Sequence, residues 1–363
     1  MSTAVRTSPP GDPRELVDVR DPFHGEQLPR WAPFAALGAA VAVAAALHWL
    51  VGLGPVLSLV TGWLLFVVGL TGLSRSVEGG RRAIDRLAAT LITSAFAIAL
   101  VPLLTLLWKV LSSGLPVLSG QFLTFSMRNV VGEGGGIYHA IIGTLLVTGV
   151  AALMSIPIGL FTAVYLVEYG HGNTLARVIT LLVDVMTGIP SIVAGLFAYA
   201  LFVLFFGEGV RLGFGGSVAL SVLMIPLVVR ASEEMFKLVP NELREASYAL
   251  GISRWRTIVK VVMPTALAGI VTGITLAIAR VIGETAPLLI ICGATDSVNF
   301  NVASGRMMTL PVFIYNSFKQ PGVPPEFGYA RAWGAALVLT IIIMALNLIA
   351  RLVSYYFSPK TGR

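Results

Sequence analysis

A single cysteine, Cys292, stands in the whole chain, so no disulfide can form within it. Charge is sparse as well. Only 12% of the 363 residues are Asp, Glu, Lys or Arg, about half the usual share of a soluble domain, against 56% hydrophobic residues. That balance excludes an ordinary soluble globular fold. The four histidines, His24, His48, His139 and His171, are scattered, and no His, Cys, Asp and Glu group falls at metal-ligand spacing. Nowhere does the phosphate-cradling pattern G-x-x-x-x-G-K-[ST] occur; "GEGGG" (132–136) lacks the Lys and Ser/Thr that must follow it. Neither catalytic machinery nor a resident cofactor or metal is expected on this chain.

What the chain does have is long apolar runs. Crossing roughly 30 Å of hydrocarbon takes about 20 apolar residues in a helix, and eight stretches fit: 32–52, 54–73, 87–111, 138–166, 175–206, 216–236, 265–292 and 332–356. The ten-residue alternation of a membrane barrel is missing, which leaves an all-α polytopic membrane protein. Gly52 and Gly54 separate the first two spans so narrowly that a helical hairpin over 32–73 is expected. Before it, residues 1–31 hold Pro9, Pro10, Gly11, Pro13, Pro22 and Gly25 among charges, the composition of a disordered tail and not of a signal peptide.

The net charge of +7 gains its meaning from topology. With the N-terminus placed in the cytoplasm, 18 of the 25 basic residues fall on inside segments and six on outside ones, the bias that orients membrane proteins. Arg280, within the seventh span, is the remaining one. Both termini are therefore expected inside a bacterial or archaeal cytoplasmic membrane, and the excess of positive charge does not call for nucleic acid.

Between the sixth and seventh spans lies a charged, amphipathic segment, 240–264. Pro240 and Asn241 signal a helix start, Gly251 a stop, and Ser253 a second start. In the second helix Trp255, Ile258, Val259 and Val262 share one face, and Arg254, Arg256 and Lys260 occupy the rest. Periodicity leaves two readings open: a helix lying on anionic lipid, or a docking element for a soluble partner.

The spacing Glu245-Ala246-Ser247, three residues, Gly251, nine residues, Val261, one residue, Met263-Pro264 resembles the EAA loop of ABC importer permeases, E-A-A-x3-G-x9-I-x-L-P. Ser247, Val261 and Met263 depart from the commonest letters. "GTLLVTGVAALMSIPIGLFTAVYLVEYG" (143–170), "TGIPSIVAGLFAY" (187–199) and "TGITLAIARVIGETAPLL" (272–289) are similar to permease subunits of bacterial phosphate importers, over roughly 87–357. The resemblance implies a six-helix type I permease core, preceded here by the extra hairpin. It implies that Glu245, Ala246, Ser247, Leu250, Gly251 and Pro264 form a coupling segment docked on a separate ATPase dimer. ATP and Mg would be used by that partner, which accounts for the missing phosphate loop. A second permease subunit and an external phosphate-binding protein complete the implied assembly, the latter meeting loops such as 112–137 and 293–331.

Arg280 lies 16 residues past Pro264, roughly 24 Å along a helix and near mid-membrane. A charge there costs at least about 2.5–3.5 kcal/mol to insert, so it must face a polar cavity or a partner. Glu284 is one helical turn on. The two form either a structural ion pair or a waypoint for an anion, because the guanidinium fork suits tetrahedral oxyanions. Arg230 is either a second waypoint or an inner anchor paired with Glu233 or Glu234. Pro190 sits inside the fifth span as a gate hinge or a packing kink. Gly269 and Gly273 form G-x-x-x-G, a helix-packing signal, and Asp184, well inside a span, needs a partner or water. Phosphate is selected by resemblance; sulfate and molybdate satisfy the same charge. A secondary transporter is the rival class, and it predicts duplicated broken helices, which the apolar runs do not display. A non-transporting membrane scaffold would leave Arg280 without purpose.

Overall fold

The computed structural model describes residues 28–357, all of whose regular structure is helical; most of the tail expected over 1–31 lies outside the described residues. Seven helices among them are long and apolar enough to span a membrane, and one further helix pair qualifies only when joined. Two compact units divide the chain, the first ending at Leu106 and the second beginning at Leu107.

The first unit contains α1 (Ala32–Val51), α2 (Pro55–Val77) and most of α3 (Gly80–Gly114). The turn between α1 and α2 is the expected hairpin: Gly52 caps α1 at φ +69°, a left-handed conformation open to glycine at no steric cost. Lower down, a side chain on Gly62 would meet Ala44 Cβ at 2.7 Å, so small residues set the approach of the two helices. Just past α2, the Glu78 carboxylate accepts from Arg86 Nη2 at 2.7 Å, Ser74 Oγ at 2.7 Å and the Leu28 amide at 2.8 Å. The Arg86 guanidinium foremost holds that carboxyl down at about 2.

The second unit is built around α5 (Tyr138–Val164) and α8 (Gly213–Lys237). Lipid offers no hydrophobic drive for helices to associate, so close backbone approach and side-chain hydrogen bonds must hold them. Both are present. A Cβ on Gly159 would lie 2.7 Å from Val228, Ser217 Oγ donates to the Val147 carbonyl at 2.9 Å, and Thr144 Oγ accepts the Leu310 amide at 2.7 Å. Around them Val147, Leu220, Met224, Val228, Val281 and Cys292 form the main apolar cluster, with Cys292 as a packing residue against Gly216.

The expected fifth span is not one kinked helix. It is two helices, α6 (Thr174–Thr187) and α7 (Ser191–Phe206), bent by 108° at Gly188–Pro190. Pro190 donates no amide and drives Ile189 out of the helical region, and Gly188 weakens the last turn of α6, so the helix is cut. The seventh span is cut too. With α9 (Asn241–Ala249) and α10 (Arg254–Thr257) preceding it, α11 (Met263–Val281) stops at Val281, and α12 (Ala286–Ile291) begins after a four-residue break. Gly283 falls in that break, and Pro287 at the start of α12 suits a first helical turn but not a helix interior. The second halves meet: a Cβ on Gly195 of α7 would lie 2.6 Å from Pro287 Cα.

At its other end α11 begins with Pro264 in its first turn, but not after a break. α10, a π turn over Ile258–Val262 and α11 run on as 28 continuous residues, Arg254–Val281. The wider turn accommodates a proline that lacks its amide. Neither Asn241 nor Ser253 caps its helix through its side chain. Gly269 and Gly273 pack α11 onto Met235 and Ala231 of α8, the close approach expected of G-x-x-x-G. α4 (Gly120–Thr124), α13 (Leu310–Lys319) and α14 (Pro325–Phe357) complete the unit.

Candidate functional site

The two helix breaks line one cavity of about 230 Å³. From the first come Thr187, Ile189, Pro190 and Ser191; from the second, Arg280, Val281 and Glu284; α8 contributes Leu223 and Leu227. A run of backbone that leaves helical geometry inside a membrane is tolerated where it borders a cavity, and this is such a place. α7 starts at Ser191, so the positive end of its dipole lies at the cavity wall.

Arg280 is exposed on the isolated chain, within an otherwise apolar helix. Glu284 is half-buried and sits on the break, past the end of α11, not one helical turn further along it. No ion pair joins them among the described residues, because ending α11 at Val281 takes Glu284 off the helix face that spacing alone assigned it. A cation and a carboxylate thus face one polar cavity without neutralising each other. Such a site can offer paired donors to an oxyanion.

One turn from Leu227 on α8, and one turn from Thr187 on α6, a second group of charges begins. Arg230 donates to Glu233 at 2.8 Å and to Asp184, and Lys237 donates to Glu233 at 2.7 Å. The partner of Asp184 is therefore Arg230. Arg230 itself is ion-paired, as its anchor reading expects, yet it lies close to the cavity.

At the far end of α8 the charged segment forms a compact platform. Glu245, Ala246 and Leu250 lie on its open face, Leu250 with 80% of its surface exposed. Gly251, at φ +73°, makes the turn: its amide bonds to the Tyr248 carbonyl at 2.9 Å and the Ile252 amide to that of Ser247 at 3.2 Å, closing α9 as a Schellman motif. Ser247 is placed differently from the other residues of the motif. It is 5% exposed and hydrogen-bonded to Thr257 at 2.8 Å, so it staples α9 to α10 from the inside. Pro264 is exposed near the start of α11.

Arg244 carries more contacts than any residue the motif singled out. Its guanidinium donates to Glu168 at 2.9 and 3.0 Å, to the Phe236 and Val239 carbonyls at 2.8 and 2.6 Å, and to Asn241 Oδ1 at 3.3 Å. Glu168 belongs to a π turn, Tyr165–Tyr169, that continues α5, and it is 4% exposed. The one signal in the sequence was a lone acid closing a long apolar run. Arg254 stacks over Tyr169 of the same turn, 4.9 Å from its ring centre.

The model of the family "Binding-protein-dependent transport system inner membrane component" matches residues 155–363. The phosphate transport system permease protein PstA 1 of Mycobacterium tuberculosis is 48% identical over 278 residues, covering 76% of this chain and 90% of the relative. PstA of Pasteurella multocida is 38% identical over 283 residues, covering 77% and 97%. Among solved structures, a chain of a bacterial alginate ABC transporter, in complex with an alginate-bound periplasmic protein, aligns with a TM-score of 0.55 at 14% identity, over 77% of this chain and 97% of that one; this likeness concerns the fold alone. The family match begins at residue 155, beyond the leading hairpin, and takes in both helix breaks and the 240–264 platform, and the chain belongs to the binding-protein-dependent transport permeases, among the PstA phosphate transport permeases.

Proposed function

We propose that this chain is the membrane-spanning permease subunit of an ATP-driven phosphate importer, carrying no catalysis of its own. The observation that carries the reading is Arg280. It is a cation exposed within an apolar span, unpaired among the described residues, at a cavity where two helices break. A charge so placed is costly unless a polar path or partner meets it, and an anion path supplies one. The names of the relatives supply phosphate as its cargo.

In this reading Arg280 and Glu284 border the path, Arg230 receives the anion next toward the cytoplasm, and Pro190 hinges the α6–α7 break. A PstC-like second permease forms the opposite wall, and a PstS-like external protein delivers phosphate. A PstB-like ATPase dimer, which binds ATP and Mg, receives the platform at Glu245, Ala246, Leu250 and Gly251. Both termini lie on the cytoplasmic side of the inner membrane. Closure of the ATPases moves the platforms and turns the cavity from one side to the other. Two broken helices fit this scheme and also the ion-coupled class; dependence on ATP separates them.

The test is phosphate uptake by liposomes containing this chain, the second permease and the ATPase, with binding protein outside and ATP inside. Uptake is expected only with ATP, and excess sulfate or molybdate is expected not to compete. Uptake without ATP assigns the chain to the ion-coupled class, and competition by sulfate overturns phosphate as the cargo.

A further inference from the structure

We propose that Arg244 is the positioning residue that transmits movement of the coupling platform to the cavity, through α8 and α5 rather than along α11. The proposal rests on the reading that an ATPase docks at α9.

α9 has little else to hold it. Ser247 is its only buried residue, while Leu243, Tyr248 and the following Leu250 are exposed. The covalent route from α9 to α11 passes the left-handed turn at Gly251 and then the π turn at Ile258–Val262, where two joints can absorb a push. Arg244 offers a shorter route. Its planar fork reaches two helices and a linker at once: Glu168 at the end of α5, the Phe236 carbonyl in the last turn of α8, and the Val239 carbonyl in the linker just beyond it.

The junction beneath it is dry. Ala163, Val167, Phe236, Val239 and Val262, with Ala266 and Ile270 of α11 packed against them, form an apolar cluster at this end of the unit. The pair itself is enclosed, with side-chain exposures of 12% for Arg244 and 4% for Glu168. A guanidinium held at five points in such a setting cannot tilt without carrying its partners, and an ammonium could not reproduce that geometry. From this end α8 runs unbroken to Arg230, Leu227 and Leu223, the last two on the cavity wall. α5 lies along it: Gly159 meets Val228, and the Ser217 and Ser221 hydroxyls of α8 donate to the Val147 and Ala151 carbonyls of α5. A displacement of α9 therefore reaches the cavity as a shift of the α5–α8 pair.

The experiment uses the complete reconstituted complex and reads phosphate moved per ATP hydrolysed, with the amount of ATPase subunit that co-purifies. Arg244→Ala, Arg244→Lys and Glu168→Gln are compared with the unaltered complex. We expect the ATPase to stay bound and the ratio to fall roughly fivefold or more in Arg244→Ala, the scale of ordinary site-to-site coupling. Arg244→Lys, which keeps the charge and loses the fork, recovers only part of it. Glu168→Gln is nearly isosteric and decides the matter if Arg244→Ala fails to assemble. A ratio unchanged in Glu168→Gln, or uptake and hydrolysis falling in proportion in every variant, overturns the proposal. An unaltered complex that moves no phosphate with ATP instead overturns the proposed function.

Discussion

Replacing Arg280 by glutamine is expected to lower ATP-driven phosphate uptake at least about tenfold while the complex still assembles. A hydrogen bond to a charged group contributes about 1.5–3 kcal/mol, and each 1.4 kcal/mol is a factor of ten, so loss of the fork weakens the anion's passage by roughly 10- to 100-fold. Folding has no reason to suffer. The substitution removes a charge whose insertion at mid-span costs about 2.5–3.5 kcal/mol and leaves an uncharged amide in its place, and Arg280 holds no ion-pair partner among the described residues. Uptake and co-purification of the second permease are measured on the same preparation. Unchanged uptake removes Arg280 from the anion path; uptake and assembly lost together would assign it a structural partner on another chain.

Glu245→Lys has the second large expected effect, at the other end of the molecule. Glu245 is exposed on α9 and forms no hydrogen bond or ion pair among the described residues, so the substitution disturbs nothing within the chain. Against a docked ATPase it places a cation where the partner surface meets an anion. Breaking one side of an interfacial charge pair costs about 2–5 kcal/mol, or roughly 30-fold and more in affinity. The ATPase subunit is expected to be lost on purification while the permease stays inserted. Normal co-purification removes Glu245 from the docking surface.

The helices themselves were largely legible, because a membrane span is written in the sequence as an apolar run of fixed length. The two breaks were not. Apolar residues lie on both sides of Gly188–Pro190 and of 282–285, where Glu284 and Thr285 interrupt the run only briefly, and an apolar run gives length but no direction. Gly188 with Pro190, and Gly283 with Pro287, were the available signals, and each also fits a mild kink. The misplacement of Glu284 followed from this, since helical spacing was applied beyond the residue where the helix ends.

The charges divide in the same way. Arg280 was visible because a cation in an apolar run stands alone, and its surroundings were not. Asp184 and Arg230 are 46 residues apart and Arg244 and Glu168 are 76 apart, distances that no local spacing rule connects. Pro264 suggested a helix start because proline is at home there; the π turn that carries the helix through has no residue pattern of its own. Ser247 came to the docking face by resemblance, and only the Thr257 hydroxyl opposite it explains why it turns inward.

The most direct test of the anion path is modification of Leu223→Cys, on the cavity wall, by a small anionic thiol reagent in the reconstituted complex. Cys292, the native thiol, is fully buried, so within this chain the new one reports alone, and the complex without it serves as the control for the other subunits. Modification is expected to stop phosphate uptake, and phosphate undergoing transport is expected to slow the modification. Complete modification with undiminished uptake would contradict a path through the cavity at Arg280.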